Sequence, residues 1–355
     1  MTHPHPHESL EAMVFPLLNW YHENARTLPW RSDPTPYHVW LSEIMLQQTR
    51  VAAVLDYYRR FLAALPTVEA LAAVDEDTLL KLWQGLGYYN RARNLQKAAR
   101  QIVTDFGGVF PGTYDQLLTL SGVGDYTAGA IASIAFGQAV PAVDGNVLRV
   151  ITRITGDRSD ITSPQTKARI RTALLDTMPQ DMPGFYNQAL MELGALICVP
   201  NGAPDCDHCP VAEFCTAYQE GLTGEIPYKA PKKPRKVESR RVYLIFYKNK
   251  IALRRRPPKG LLSRLWEFPN FPSTESPTAL ENLSPVQVEE GPRGKHIFTH
   301  IEWHMDSVLW TVQTPELPEG WVWADLDQLR DLYAIPGAFD SFRPAVEARL
   351  QRLAP

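Results

Sequence analysis

Only four cysteines occur among the 355 residues, and all of them lie between positions 198 and 215. That clustering excludes a disulfide scaffold and leaves one metal or cluster site in a reducing cytoplasm. Long apolar runs are also missing: none approaches the roughly 18 residues that a membrane-crossing helix needs. The formal net charge is −3, so the chain lacks the overall positive charge of a basic nucleic-acid binder, and any contact with DNA must come from local patches. The start, MTHPHPHESLEAM, has no apolar core behind a basic segment and is not a secretory signal. Residues 1–8 read as a disordered tail whose alternating histidines lack a fixed scaffold for metal. The first 225 residues also show almost no period-2 alternation, which excludes a large sheet there.

What is present is helical periodicity. Leu10, Met13, Val14, Leu17 and Leu18 mark a helix over 9–24, broken by Leu28-Pro29-Trp30-Arg31. From Val39 the segment VWLSEIMLQQTRVAAVLDYYRRFLAAL reads as amphipathic helix, and further helices are predicted at 68–74, 78–83, 91–106, 114–119, 126–136, 147–154 and 167–178. Glu43 is out of place in this pattern. A carboxylate among apolar neighbours pairs, protonates or works, because burying its charge is costly; the plain alternative is a surface residue on the polar side of the helix.

The run LLTLSGVGDYTAGAIASIAFGQAVPAVDGNVLRV, residues 117–150, organises this half. Gly122-Val123-Gly124 permits a tight turn with no side chain in the way of a ligand, and a helix starting after it offers backbone N–H groups to a phosphate. Asp144 follows twenty residues beyond Gly124, placed to face the sugar attached to that phosphate. The plain alternatives are a helix C-cap turn for Gly-x-Gly and an N-cap for Asp144. Gln84-Gly85-Leu86-Gly87-Tyr88-Tyr89-Asn90 is a glycine-spaced turn carrying apolar and aromatic side chains. Leu86 and Tyr88 either close the core beneath it or form an exposed tip that fills the gap left by an extruded nucleotide. Gln48 and Thr49, at the end of the Glu43 helix, offer polar groups to the other side of such a gap.

Cys198, Cys206, Cys209 and Cys215 follow the spacing C-x7-C-x2-C-x5-C, which suits Zn²⁺ or a [4Fe–4S] cluster without choosing between them. After Cys215 the composition changes. KAPKKPRKVESRR, residues 229–241, carries seven basic residues and one acid and reads as an extended linker, within a boundary region of 227–240. Beyond it, 242–247 and 250–255 flank Lys248-Asn249 as a hairpin, and 265–269, 296–301, 305–312 and 320–323 supply further strand-like runs before a helix near 344–350. Residues 241–355 are therefore expected to form an α+β domain after an all-α domain over 9–226.

The hairpin with its VDGN sequel resembles the helix-hairpin-helix DNA glycosylases. Together with LPWR, VWLSEIMLQQTRV, GLGYYNRARNL, YNQALMELGALIC and the four cysteines, it resembles the MutY family of adenine DNA glycosylases, which remove adenine mispaired with 8-oxoguanine. The resemblance implies a multi-domain protein: an all-α glycosylase domain with a four-cysteine [4Fe–4S] loop at 198–215, then a Nudix-like domain that reads 8-oxoguanine. The usual first cysteine gap in the family is six residues, and here it is seven. It also implies Glu43 as proton donor to the leaving adenine, Asp144 as stabiliser of the sugar cation, and Tyr126 and Asn146 as their orienting partners. Arg26, Trp30, Arg31 and Gln188 would line the adenine pocket. Phe298-Thr299-His300 stands where the family has Phe-Ser-His against the oxidised guanine. The partner implied is double-stranded DNA with adenine opposite 8-oxoguanine or guanine, bound by a monomer in the bacterial cytoplasm at the nucleoid. Endonuclease III-like enzymes, the sister family of pyrimidine glycosylase/lyases, would need a lysine at position 126, where this chain has tyrosine. A nucleotide hydrolase would need a run of glutamates for Mg²⁺, which is absent here, and a non-catalytic damage binder would lack one of the two carboxylates.

Overall fold

The computed structural model describes residues 6–231, 234–275 and 277–353. Among the described residues the α-helices come first: α1 (Pro6–Ala12), α2 (Val14–Asn24), α3 (Pro29–Ser32), α4 (Pro36–Leu46), α5 (Val51–Ala64), α6 (Val68–Ala73), α7 (Glu76–Leu82), α8 (Asn90–Asp105), α9 (Tyr114–Leu118), α10 (Asp125–Phe136), α11 (Gly145–Thr155), α12 (Pro164–Thr177), α13 (Pro183–Leu196) and α14 (Thr216–Gln219). Then come β1 (Lys236–Tyr247), β2 (Lys250–Arg255), β3 (Trp266–Glu267), β4 (Asn270–Pro272), β5 (Pro285–Glu290), β6 (Gly294–Ile297), β7 (Ile301–Val312), β8 (Trp321–Ala324), α15 (Leu326–Asp331) and α16 (Arg343–Arg352). The expected tail at 1–8 lies outside the described residues as far as position 5, and Pro6–Glu8 already belong to α1.

The chain forms two compact units, one of residues 1–73 and 94–231, the other of residues 74–93 and 232–355. The first unit is helical. One of its cores gathers Leu10, Met13 and Leu17 from the N-terminal helices with Val147, Ile151, Ile154, Tyr186, Leu190 and Leu193. The long segment from Val39, read as carrying two or more turns of amphipathic helix, holds two helices. It divides into α4, buried on nearly every side from Val39 to Met45, and the amphipathic α5, with a break where Gln48 takes φ +59°. A helix apolar all round belongs inside the protein, and that carries Glu43 inside with it.

The second unit holds one sheet in the order β3-β2-β1-β7-β5, with β4 on β1, β6 on β7 and β8 on β2. The expected hairpin forms, with Phe246 opposite Ile251 and Lys248 in the left-handed region. β1 and β7 run parallel from Lys236/Ile301 to Phe246/Thr311. β1 therefore starts inside the stretch read as linker, because Lys236–Arg240 have a strand to pair with. The run 296–301 is likewise not one strand: it takes in the end of β6, a turn over 298–300 and the first residue of β7, with Phe298 N–H donating to Ile301 O at 2.8 Å. Residues 74–93 join this unit and not the helical one. Glu76 pairs with Arg264 and Asp77 with Arg255, both at 2.8 Å, and Lys81 Nζ donates to Tyr333 O at 3.2 Å.

Candidate active site

The hairpin between α9 and α10 forms where two glycines permit it. Gly122 has φ +76°, and a Cβ there would lie 2.6 Å from Asn94 Cβ, so only glycine fits. Gly124 caps α10 and has open space where a side chain would stand. That leaves the first amides of α10 open to an approaching phosphate.

α10 is built of small residues and packs closely on α4 and α13. This brings Tyr126 to Glu43 across 83 positions of sequence, and the tyrosine hydroxyl donates to Glu43 Oε2. Glu43 is 6% exposed. Burial raises its pKa to about 7; the Tyr126 hydrogen bond and the charge of Arg31 pull downward, and the charge of Asp144 pushes further up. Burial and the two neighbouring carboxylates likewise push the Tyr126 phenol well above its ordinary value, so it remains a neutral donor.

Asp144 is indeed the N-cap of α11, which the plain reading expected, and it is also part of this cluster. Its Oδ1 accepts from Val147 N–H and its Oδ2 from Asn146 Nδ2, both at 2.8 Å. Burial raises its pKa, while these two donors and Arg149 favour the ionised form. Asn146 Oδ1 accepts from Arg149 Nη2 at 2.9 Å, and Arg149 Nε donates to Cys198 O at 2.7 Å, so the chain of bonds ends on the cysteine loop. Asn187, which sequence reasoning did not single out, fixes the approach to Asp144. Its Nδ2 donates to Ser133 Oγ and Val140 O, and its Oδ1 accepts from Ala142 N–H.

Arg26 and Arg31 converge on Glu192 of α13, at 2.7 Å each. Burial would raise the Glu192 pKa, but the two arginines overcome it and hold the carboxyl at about 2. Arg31 also lies over the Tyr21 ring, whose hydroxyl donates to Gln188 Oε1 at 3.2 Å. Arg26, Arg31 and Gln188 thus form one cluster. Trp30, the chain neighbour of Arg31, is buried edge-on against Tyr58. Glu192 carried the same signal as Glu43, an acid inside an apolar helix, in a helix absent from the predicted ones.

All four cysteines line one apolar cavity with Val150, Ile154 and Leu193. Arg153 Nη1 reaches Cys198 Sγ at 3.2 Å, and burial pushes Cys209 up to about 12 and Cys215 to about 11. Bare thiols would stay protonated there; a cationic centre would make them thiolates. Among the described residues no set of three or more His, Cys, Asp or Glu side chains is placed to hold a single metal ion.

In the second unit Leu86 is 6% exposed and so does not form an exposed tip, since its turn folds inward over Trp83 Nε1, which donates to Gly87 O at 3.1 Å. Tyr88, 51% exposed, does present its ring, and its hydroxyl lies 3.4 Å from Thr299 Oγ1. Thr299 and His300 are exposed at the β6–β7 turn, and Phe298 is anchored against Trp303 at 4.9 Å. Gln48 and Thr49 occupy the break between α4 and α5.

No helix of the described residues is long and apolar enough to cross a membrane. Residues 41–175 match the HhH-GPD superfamily base excision DNA repair protein model, and 241–343 match a NUDIX domain. The mouse adenine DNA glycosylase is 39% identical over 72% of this chain, which spans 59% of that relative's length. The adenine DNA glycosylase of Buchnera aphidicola subsp. Schizaphis graminum is 35% identical over 82% of this chain and 86% of its own. Among solved structures, a thermostable thymine-DNA glycosylase superposes on 60% of this chain and 98% of its own with TM-score 0.55 at 28% identity. A non-covalent endonuclease III–DNA complex superposes on 61% of this chain and 98% of its own with TM-score 0.52 at 23% identity, a likeness of fold. With these relatives, this hairpin and this pair of carboxylates, the chain belongs to the adenine DNA glycosylase family of helix-hairpin-helix base excision repair proteins.

Proposed function

We propose that the protein removes adenine opposite 8-oxoguanine, or opposite guanine, by hydrolysing the N-glycosidic bond of a nucleotide swung out of the duplex. The observation that carries this is the Tyr126–Glu43 hydrogen bond, within a cluster where a second carboxylate, Asp144, is held by two N–H donors. Breaking an N-glycosidic bond needs a proton on the leaving base and negative charge beside the sugar, as in glycosidases with paired carboxylates. Glu43, with its pKa near 7, delivers the proton to adenine and then accepts one from water. Asp144 stabilises the cationic sugar. Tyr126 orients Glu43, and Asn146 orients Asp144. The Arg26–Glu192–Arg31 cluster with Gln188 receives the base. Because position 126 is a phenol, which forms no imine with the sugar, the reaction stops at the abasic site.

The donor set of four thiols around one apolar cavity fits a [4Fe–4S] cluster held by Cys198, Cys206, Cys209 and Cys215. Bound there, such a cluster would tie the loop together. The exposed Thr299–His300 turn with Tyr88 reads the oxidised base opposite the adenine. In this reading the protein works as a monomer on chromosomal DNA, in the cytoplasm of a bacterium. Duplexes carrying adenine opposite 8-oxoguanine, adenine opposite guanine, or an oxidised pyrimidine, each assayed with and without alkali, test it. Adenine release with strand breaks appearing only after alkali is expected. Release of the pyrimidine alone sinks the reading.

A further inference from the structure

The turn over 298–300 is tied to residues 235–240, at and just before the start of β1. Arg235 Nε donates to Phe298 O at 3.1 Å, and Lys236 N–H donates to His300 O at 3.2 Å. The Phe298 ring meets Trp303 of β7 edge-on at 4.9 Å. Trp303 is 2% exposed, and two guanidiniums lie over its ring, Arg240 at 4.5 Å and Arg256 at 5.6 Å. Its indole Nε1 donates to Glu238 Oε2 at 3.3 Å. Arg240 is itself fixed, since its Nε donates to Asn270 Oδ1 at 2.8 Å and its Nη1 lies 3.7 Å from Glu238 Oε2. Apolar packing alone sets how deep a ring lies, whereas a cation seeks the ring's face and Nε1 needs an acceptor in the ring's plane. Burying charges for this purpose carries a desolvation cost that an apolar pair of the same volume would avoid. What the charged arrangement adds is the orientation of Trp303, and Phe298, resting on that ring, is followed directly by Thr299 and His300.

We propose that Arg240 and Glu238 are positioning residues for lesion discrimination: by fixing Trp303 they place Phe298, and through it the Thr299–His300 pair, against the oxidised base. The proposal rests on the reading that this turn faces the base opposite the adenine. Arg256 is the poorer residue to vary, because its Nη1 holds the fully buried Glu267 at 2.7 Å. Single-turnover adenine release by the full chain, from duplexes with adenine opposite 8-oxoguanine and adenine opposite guanine, tests it.

Arg240→Met keeps a long side chain and removes the cation. It should lower the ratio of the two rates about three- to tenfold, with the rate opposite guanine within about twofold of wild type. Arg240→Lys returns a cation to the ring and should recover most of the ratio. Glu238→Leu, at a partly exposed side chain, should lower the ratio in the same way, and it carries the test if Arg240→Met does not fold. Added to Thr299→Ala with His300→Ala, Arg240→Met should change the ratio little further, because residues acting through one contact are not additive. An unchanged ratio in Arg240→Met and Glu238→Leu, where the Thr299–His300 double variant does lower it, overturns the proposal and leaves lesion reading at the turn intact. Equal losses on both duplexes, as from a general loosening of the unit, also overturn it, and so does full additivity in the triple variant. A double variant with the wild-type ratio overturns the reading of the turn and the proposal with it.

Discussion

The hydroxyl of Tyr126 donates to the carboxylate of Glu43, so the residue two places after the hairpin and the one acid inside α4 form a single pair. A lysine in place of Tyr126 would ion-pair with Glu43 and draw its pKa down; the neutral phenol leaves it near 7. The identity of residue 126 thereby settles two things together, the absence of an amine to attack the sugar and the presence of a carboxylic acid able to give up a proton at neutral pH.

Glu43→Gln should abolish base release, by at least about a hundredfold in single-turnover rate, with duplex binding retained. In the wild type, the rate constant at low enzyme should fall as pH rises through about 7, where Glu43 loses its proton. A near-normal rate in the variant would make Glu43 a structural residue.

The same substitution should change stability with a definite sign. A carboxyl whose folded pKa is raised from 4.5 to about 7 contributes fully below pH 4.5, and that contribution is lost as pH rises to 7. At roughly 1.4 kcal/mol per pH unit, the loss reaches up to about 3 kcal/mol. Glu43→Gln escapes it, so thermal unfolding should show the variant close to wild type at pH 5 and more stable at pH 8. A variant less stable at pH 8 than at pH 5, relative to wild type, contradicts the buried-acid assignment.

Borohydride should not trap the wild-type protein on DNA through residue 126. Tyr126→Lys would place an amine beside Asp144 and should gain some trapping together with strand cleavage before alkali. Efficient trapping of the wild type mapped near this position would remove the argument for a hydrolysis that stops at the abasic site.

Glu192→Gln leaves Arg26 and Arg31 facing each other with no carboxylate between them. A cost of about 3 kcal/mol at pH 7 is expected, since an ion pair at a 1% exposed carboxylate is being broken from one side. Because the folded pKa of Glu192 is depressed to about 2, its contribution is present above pH 4.5 and is lost as pH falls toward 2. Denaturant titrations should therefore show the gap between variant and wild type narrowing on acidification; a gap independent of pH would assign the loss to packing.

Thr299→Ala with His300→Ala should lower the preference for adenine opposite 8-oxoguanine over adenine opposite guanine, by up to about a hundredfold for one or two hydrogen bonds. Truncation at residue 241 is the poorer test, because residues 74–93 would lose Arg255, Arg264 and Tyr333. An unchanged ratio in the double variant would move lesion reading into the helical unit.

By itself the sequence determined whatever depends on local rules. Gly-x-Gly specified the hairpin because positive φ at position 122 admits no side chain, and Lys248-Asn249 between two alternating runs specified the β1–β2 turn. Glu43 stood out because an acid in an apolar helix has few harmless explanations, and four clustered cysteines marked one site. What joins residues far apart in sequence was decided only by tertiary structure. Whether Leu86 faced in or out, and whether 296–301 was a strand or the bend that exposes Thr299 and His300, depended on partners that no local window contains. The transfer of residues 74–93 to the second unit rests on ion pairs to residues some 180 positions away. Asn187 and Glu192 acquired their roles because the close packing of α10, α11 and α13 placed them against the Asp144 loop and two arginines, and a helical period alone shows a buried face without naming what it is buried against.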